Sequence, residues 1–475
     1  MIYRLLKIIL FLFSFISAEA QVFYRADRID INTSTSSEMA PTIYNDGIIF
    51  SSNRKNDIIM VTVDQSGNYM YNLYYSKQKS PKNWSAPVLL SKLVVSRFNE
   101  SSASVSADKS TLYYTATLNS NSKIGDQISG DTVKNGIFIA RWDGFKWNPD
   151  REFPYNSNNY DVAYPCINED GTRLYFASRN PEGFGGFDLY YADMDRNRWQ
   201  EPVNLGPEIN TPENEVFPFV HGSSRLYFAS RGHEGQGGLD IFYTDYINGK
   251  WTKPVNMPRP FNSRSDDFAF VSNAAIDTGY FTSNRRGSDD IFKFTSSIPI
   301  FTDCPMQVEE TFCYEFYESG SMKLDTTTLR YEWDMGDGTK IRETRVLYCY
   351  EKPGYYLVQL NVIDTLTGEV YYSEASYDLL VEKIEQPYII SPDTFLVSEP
   401  VLFNGKDSHI KEFTIQDYYW DFGDGTVAIE EETRHTYNTA GNYMVRLGVT
   451  GPLKNNPDNQ SKACVVKQII ILNEQ

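Results

Sequence analysis

The chain is poor in histidine, with four residues in 475. His221, His233, His409 and His435 form no H-E-x-x-H pair, which leaves out the usual zinc-hydrolase constellation. No G-x-S-x-G elbow, P-loop or dinucleotide fingerprint occurs, so no template for acyl transfer, nucleotide or hydride chemistry stands out. Beyond the N-terminus no apolar run is long enough to cross a bilayer as a helix. Positive charge is in deficit: 44 Lys and Arg face 62 Asp and Glu, a formal net charge of −18. A surface of that sign repels nucleic acid and anionic lipid. Cysteine is sparse, and the odd count of five leaves at least one unpaired.

The N-terminal residues MIYRLLKIILFLFSFISAEA (1–20) join basic Arg4 and Lys7 to an apolar run from Ile8 to Ile16 and small residues at Ala18 and Ala20. This pattern predicts a secretion signal cleaved before Gln21. The run is short for a membrane anchor, and no Cys follows it to carry a lipid. The mature chain is therefore expected to be exported and to lack a transmembrane helix. Export permits disulfides. Cys304, Cys313 and Cys349 fall close together, so a bridge among them is expected, with the pair left open.

What is plentiful is aromatic: 34 Tyr and 29 Phe. The stretch LYFASRNPEGFGGFDLYYADMDRNRWQEPVNLG (Leu174 to Gly206) is nearly repeated from Leu226 to Met257. Each copy reads as a strand, a Gly-rich turn, a second strand, an Asn/Asp turn, then Trp and a PVN strand. Fainter copies surround Phe50, Tyr114 and Phe281, in register with Phe176 and Phe228. Repetition of this kind marks a repeat architecture of hairpins. Five copies of roughly four strands predict a β-propeller. The fifth copy lacks its last strand. The segment VFYRADRIDINTSTSSE near the N-terminus has the missing piece, and Ile31–Thr33 matches Ile209–Thr211. Closure of the last blade by this first strand is expected, because it hides the unpaired edges of an open array. The insert Asn119 to Asn135 is expected to be a surface loop.

These repeats resemble the TolB-type, WD-like propeller repeats of exported bacterial proteins, over about residues 21–298. After Ile300 the grammar changes. YEWDMGDGTKIRETRVLYCYEKPGYYLVQLNVID (Tyr331 to Asp364) is echoed by YYWDFGDGTVAIEEETRHTYNTAGNYMVRLGVT (Tyr418 to Thr450). Both resemble the polycystic-kidney-disease (PKD) domain, an immunoglobulin-like sandwich. Its W-D-x-G-D-G-T signature stands at Trp333, Asp334, Gly336, Asp337 and Gly338, and again at Trp420, Asp421, Gly423, Asp424 and Gly425. The Pro of the following P-G-x-Y pattern, Pro353, is replaced by Ala440 in the second copy. The expected fold class is thus all-β: a five-bladed propeller at 21–298, then PKD-like sandwiches at 303–385 and 386–474.

Several residues recur with chemistry to weigh. Asp188 and Asp240 follow Gly-Gly, where a carboxylate can accept backbone N–H bonds in a tight turn. Arg54, Arg179, Arg231 and Arg285 recur after the second strand, and repetition in four blades favours structure over catalysis. Glu38, Glu100, Asp161, Glu215 and Asp266 precede the first strand of each blade. They could ring one mouth of the central channel and attract a cation or a basic peptide; the alternative, preferred on the sequence, is that each caps its own loop. The Gly-Asp-Gly turns offer carboxylates and carbonyls to calcium, but fall short of an EF-hand ligand set, so stabilisation of the turn is preferred. No metal site, cofactor or catalytic residue is predicted.

The combination resembles propeller-plus-PKD proteins of Bacteroidetes, some of which associate with gliding or type IX secretion machinery. This implies a non-catalytic scaffold, periplasmic or outer-membrane-associated, with a cell-surface or secreted location as the alternative. Its partners would be other envelope proteins, or peptidoglycan or another glycan, and not nucleic acid. A glycan- or matrix-binding module would show a coplanar row of exposed Tyr or Trp on one sandwich face. An enzyme would show unlike polar residues clustered at the channel mouth.

Overall fold

The computed structural model describes residues 24–55, 69–94, 99–118, 134–222, 224–317 and 328–473. The expected signal segment, residues 1–20, and most of the 119–135 insert lie outside them. Within the described residues every regular element is a β-strand. The chain divides into two compact units between Thr302 and Asp303.

The first unit holds five antiparallel sheets. Their inner strands are Glu38–Tyr44, Glu100–Val105, Val162–Ile167, Glu215–His221 and Asp267–Ser272. Each inner strand neighbours the next, and the fifth returns to the first, which closes a ring of five blades. Tyr24–Arg28 pairs antiparallel with Asp290–Ser296 of the last blade, so the first described strand supplies the strand that the fifth copy lacks.

The repeated aromatic is the centre of each blade. Phe50, Tyr114, Phe176, Phe228 and Phe281 are all buried. Each lies across from an aromatic of the third strand: Tyr74, Phe138, Tyr190, Phe242 and Phe292. Such cross-strand pairs add to the burial of apolar area.

An asparagine fastens one blade to the next. Asn210 Oδ1 accepts the Leu189 N–H at 2.8 Å, and its Nδ2 donates to the Leu189 carbonyl at 3.0 Å. Asn262 clasps Ile241 in the same way, and Asn156 clasps Ile137. Asn32, beside the closing strand, clasps Ile291 at the other end of the unit. The Ile-Asn-Thr echo is therefore this clasp: an amide side chain replaces the missing strand partner on both backbone groups of one residue.

The second unit holds two sandwiches. In the first, the sheet orders Lys340–Ile341, Leu329–Asp334, Gly354–Asp364 and Val370–Val381, faced by the pair Cys313–Tyr317 and Arg345–Cys349. In the second, Thr394–Leu396, Asn456–Leu472, Gly441–Leu453, Asp417–Asp421 and Val427–Ala428 face the pair Pro400–Asn404 and Glu432–Thr436. Trp333 and Trp420 are buried in the two cores, as the sequence predicts.

Cys313 and Cys349 form a disulfide between paired strands. Cys304 does not join them; it bonds Cys464 of the second sandwich. Met306 bridges Val466 there, and Gln307 exchanges side-chain bonds with Ile389. Residues 304–307, expected within the first sandwich, thus pack on the second. Cys166 is free and buried.

Candidate functional site

The five acidic residues do not form one series. Register pairs Glu38, Glu215 and Asp267 with Ser52, Ser230 and Ser283 of the second strands. In the third blade Val162, not Asp161, pairs with the equivalent Ser178. The structural counterpart of Glu38 in the fifth blade is therefore Asp267 rather than Asp266.

Glu38, Glu100, Glu215 and Asp267 are all buried, at 0–1% exposure. Glu38 accepts the Thr33 N–H at 2.8 Å, the Ser52 hydroxyl at 3.1 Å and the Arg54 guanidinium at 2.9 Å. Glu215 accepts the Thr211 N–H and hydroxyl, both at 2.8 Å, and the Ser230 hydroxyl at 2.6 Å. Asp267 accepts the Ser263 N–H and the Arg285 guanidinium, both at 2.6 Å. Burial pushes the Glu38 and Glu215 carboxyls above the usual range, against the pull of these donors.

Asp161 and Asp266 belong to a second series, one residue ahead of the inner strand, with Asn99 and Asn214. Their side-chain oxygens accept an N–H at the start of the third strand of the preceding blade: Asp161 from Asn135 and Asp266 from Leu239, at 2.9 and 2.7 Å. Asn99 and Asn214 hold Tyr71 and Phe187 likewise. Both series tie loops and blades together, and the buried members present no open ring of charge. Spacing counts residues alone and could not separate adjacent acids such as Asp266 and Asp267.

The recurrent arginines divide in the same way. Arg54 and Arg285 stand two residues beyond the shared serine, each over two blade aromatics. They donate to the carbonyls of Ile31 and Phe261. His233 fills this place in the fourth blade, its Nε2 2.8 Å from the Ile209 carbonyl. Arg179 and Arg231 stand one residue beyond that serine. Asp188 and Asp240 act as expected: Asp188 Oδ2 accepts the Phe184 N–H, and Asp240 Oδ2 those of Gln236 and Gly237.

All five inner strands surround a central cavity of about 190 Å³. Each carries a register shift at the same place, with a non-glycine residue in the left-handed region: Ala40, Ser102, Tyr164, Phe217 and Ala269. An extra residue there bends the strand, at a cost of about 1–2 kcal/mol for each such conformation. Ring contacts offset part of this on one side, where Tyr164 packs on Phe217 at 4.1 Å and Phe217 on Phe268 at 5.0 Å. The opposite side is small and hydroxylic, with Thr42, Ser102 and Ser104. Among the described residues, the lining side chains include no carboxylate, imidazole, ammonium or guanidinium. Cys166 lines it too; burial pushes its thiol up to about 11, and its sulfur accepts the Val220 N–H at 3.4 Å.

In the sandwiches the signature residues build turns. Gly336, Gly338, Gly423 and Gly425 have φ between 75° and 97°, which glycine adopts freely. Asp337 accepts the Thr339 N–H at 2.9 Å and the Tyr348 hydroxyl at 2.7 Å. Asp424 accepts the Thr426 N–H at 3.0 Å and lies 2.7 Å from His435 Nε2. Asp334 and Asp421 accept the N–H of Gly336 and Gly423. Among the described residues no cluster of three or more potential metal ligands occurs.

The first sandwich differs from the second at its surface. Tyr355 and Leu357 point outward from Gly354–Asp364, and Leu380, cross-strand from Tyr355, lies on the same face. They are 82%, 49% and 42% exposed. Tyr377 pairs with Val358 and so belongs to the opposite face. Among the described side chains of this sheet, the exposed Tyr355 and Tyr377 therefore do not share the single face that a glycan-stacking row would need. This apolar face was missed from the sequence. Its signal was present in YYLVQLNV, where Tyr355 and Leu357 occupy the outward series that polar residues normally fill.

The PKD domain family matches residues 299–372 and 385–465. Collagenase ColA of Clostridium perfringens is 36% identical over 78 residues, 16% of this chain and 7% of the collagenase. Human polycystin-1 is 30% identical over 128 residues, 25% of this chain and 3% of polycystin-1. The chain thus spans a small part of the length of these relatives. Among solved structures, an α-L-arabinofuranosidase from Lactobacillus brevis aligns with a TM-score of 0.38 at 13% identity, covering 57% of this chain and 94% of that one. TolB from Acinetobacter baumannii aligns at 0.30 and 10% identity, covering 62% and 57%. At these scores neither likeness bears on activity. The protein is an all-β chain: a closed ring of propeller-like sheets, followed by two PKD domains.

Proposed function

We propose that the chain is a non-catalytic interaction protein of the bacterial cell envelope, exported and held near the outer membrane by its partners. One observation carries this reading: the exposed apolar face of Tyr355, Leu357 and Leu380 on the first PKD domain. Contiguous exposed apolar surface of this kind marks a docking site. The family match supports a binding role, since PKD domains are non-catalytic modules that bind protein or carbohydrate. The ties that absorb Glu38, Glu215 and Asp267 support a rigid platform in the first unit. Location rests on the secretion-signal pattern of residues 1–20, and association with secretion or gliding machinery on resemblance to propeller-plus-PKD proteins.

The test is affinity capture from envelope extract of the native organism, with the full mature chain as bait and a Tyr355→Glu/Leu357→Glu variant beside it. Stoichiometric recovery of an envelope protein, lost with the variant, is the expected result. Recovery of peptidoglycan or glycan fragments in place of protein would replace this reading with a glycan-binding one. Turnover of a recovered fragment by the purified chain would make it an enzyme.

A further inference from the structure

The two PKD domains treat equivalent strand edges differently. In the second, Asn456–Leu472 has its outer edge covered twice. Thr394–Leu396 pairs with Ile470–Leu472 in parallel. Further along, the Gln307 N–H donates to the Val466 carbonyl at 2.8 Å, and the Val466 N–H to the Pro305 carbonyl at 2.9 Å. The Cys304–Cys464 disulfide fastens that second cover.

In the first domain the equivalent strand is Val370–Val381. Gly354 pairs with Val381 as Gly441 pairs with Ile471, so Leu380, Val381 and Glu382 correspond to Ile470, Ile471 and Leu472. Among the described residues, Val370–Val381 pairs with Gly354–Asp364 and with no other strand. Chain order explains the difference. Thr394–Leu396 covers its own domain from just ahead of Pro400–Asn404. The segment just ahead of Cys313–Tyr317 would do the same for the first domain, but Pro305–Gln307 is committed to the second.

An uncovered edge exposes a row of N–H and C=O groups that a further strand can pair with. Beside it stand exposed Tyr377 and Leu380, and the exposed Asp378 carboxylate. Glu382 and Glu385 lie at its end, both bonded to Lys411. A second copy of this acidic chain would bring like charges together, with −18 on each molecule.

We propose that the outer edge of Val370–Val381 receives an extended segment of a partner protein, alternating apolar and basic residues, as an added strand. This rests on the binding reading above and names the kind of partner. The backbone supplies the pairing; Tyr377 takes the apolar residues on one face, and Asp378, on the other face with Leu380, selects the basic ones.

The test is amide hydrogen exchange on the full mature chain with a synthetic peptide of alternating valine and lysine. Exchange in 370–381 should slow by about tenfold or more, with 456–472 unchanged because its edge is already covered. A valine–glutamate peptide should produce no slowing. Asp378→Lys should abolish the effect of the valine–lysine peptide, and the wild-type measurement stands if that variant fails to fold. No slowing with either peptide overturns strand addition, and equal slowing with both overturns the basic partner. Slowing that rises with protein concentration and needs no peptide assigns the edge to a second copy and overturns the proposal. If no peptide acts while the Tyr355-dependent capture persists, strand addition falls and the binding reading survives. Loss of both removes the two together.

Discussion

The two PKD domains are built to one plan and finished differently. Tyr350 and Tyr437 each donate a hydroxyl hydrogen bond at 3.0 Å to the carbonyl ahead of the Gly-Asp-Gly turn, those of Met335 and Phe422. Where the first domain holds its turn aspartate with Tyr348, the second uses His435, stacked on Phe422 at 4.1 Å. The first domain is bridged by Cys313–Cys349 where the second has Pro400 and Thr436 in register. Among the described residues the second has a covered edge and the first an uncovered one. Identical turns therefore do not make interchangeable domains; edges and bridges decide which is inert and which can take a partner.

The largest expected effect comes from the disulfides. Cys304–Cys464 spans 160 residues and Cys313–Cys349 spans 36. On the chain-entropy account, removing them costs about 5 and about 4 kcal/mol respectively. Urea unfolding of the Cys304→Ser/Cys464→Ser and Cys313→Ser/Cys349→Ser variants would rank them. The first variant also frees Pro305–Gln307 from its tether. If that segment then covers Val370–Val381, protection of this strand rises as that of 456–472 falls.

A smaller difference separates the buried tryptophans. Trp420 Nε1 donates to the Glu430 carbonyl at 2.7 Å, while Trp333 Nε1 is buried without a partner among the described residues. Trp420→Phe should therefore cost about 1–2 kcal/mol more than Trp333→Phe, because only it orphans a carbonyl. Tyr350→Phe and Tyr437→Phe remove the same bond in each domain and should each cost about 1 kcal/mol. Unequal losses in thermal denaturation would break the equivalence of the two turns.

The smallest effect is acid dependence. Burial alone would raise the Asp424 carboxyl, but His435 and Thr426 outweigh it and hold it below the usual range. Its contribution is present above the unfolded carboxylate range and is lost as pH falls through the depressed folded value. Asp424→Asn should thus weaken the chain at neutral pH, with the gap to wild type closing in acid. Glu215 provides the opposite sign, because burial raises it. Its contribution is full in acid and lost as pH rises, so Glu215→Gln should gain on wild type from acid toward neutral pH. Urea midpoints across pH would show the two trends; parallel trends would contradict them.

Much of this was legible in the sequence. The Phe50 and Phe228 series, the closing strand with its Ile-Asn-Thr echo, and the Trp-Asp-x-Gly-Asp-Gly-Thr turns were readable because each is local and repeated. The acidic series was less so. Glu38 and Asp266 look alike by spacing, yet one starts an inner strand and the other latches a neighbouring blade. A one-residue shift in β structure exchanges faces and partners, and spacing does not fix it.

The class of each element, the repeat and the turn chemistry follow from residue order alone, because these depend on side-chain alternation and on backbone angles set within a few residues. Other features come from the fold as a whole: Cys304 leaves its own domain for Cys464, Glu38 and Glu215 are sealed from solvent, and among the described residues Val370–Val381 keeps an uncovered edge. Each of these depends on which distant segments meet, and strand pairing between distant residues is settled by competition for edges across the whole unit.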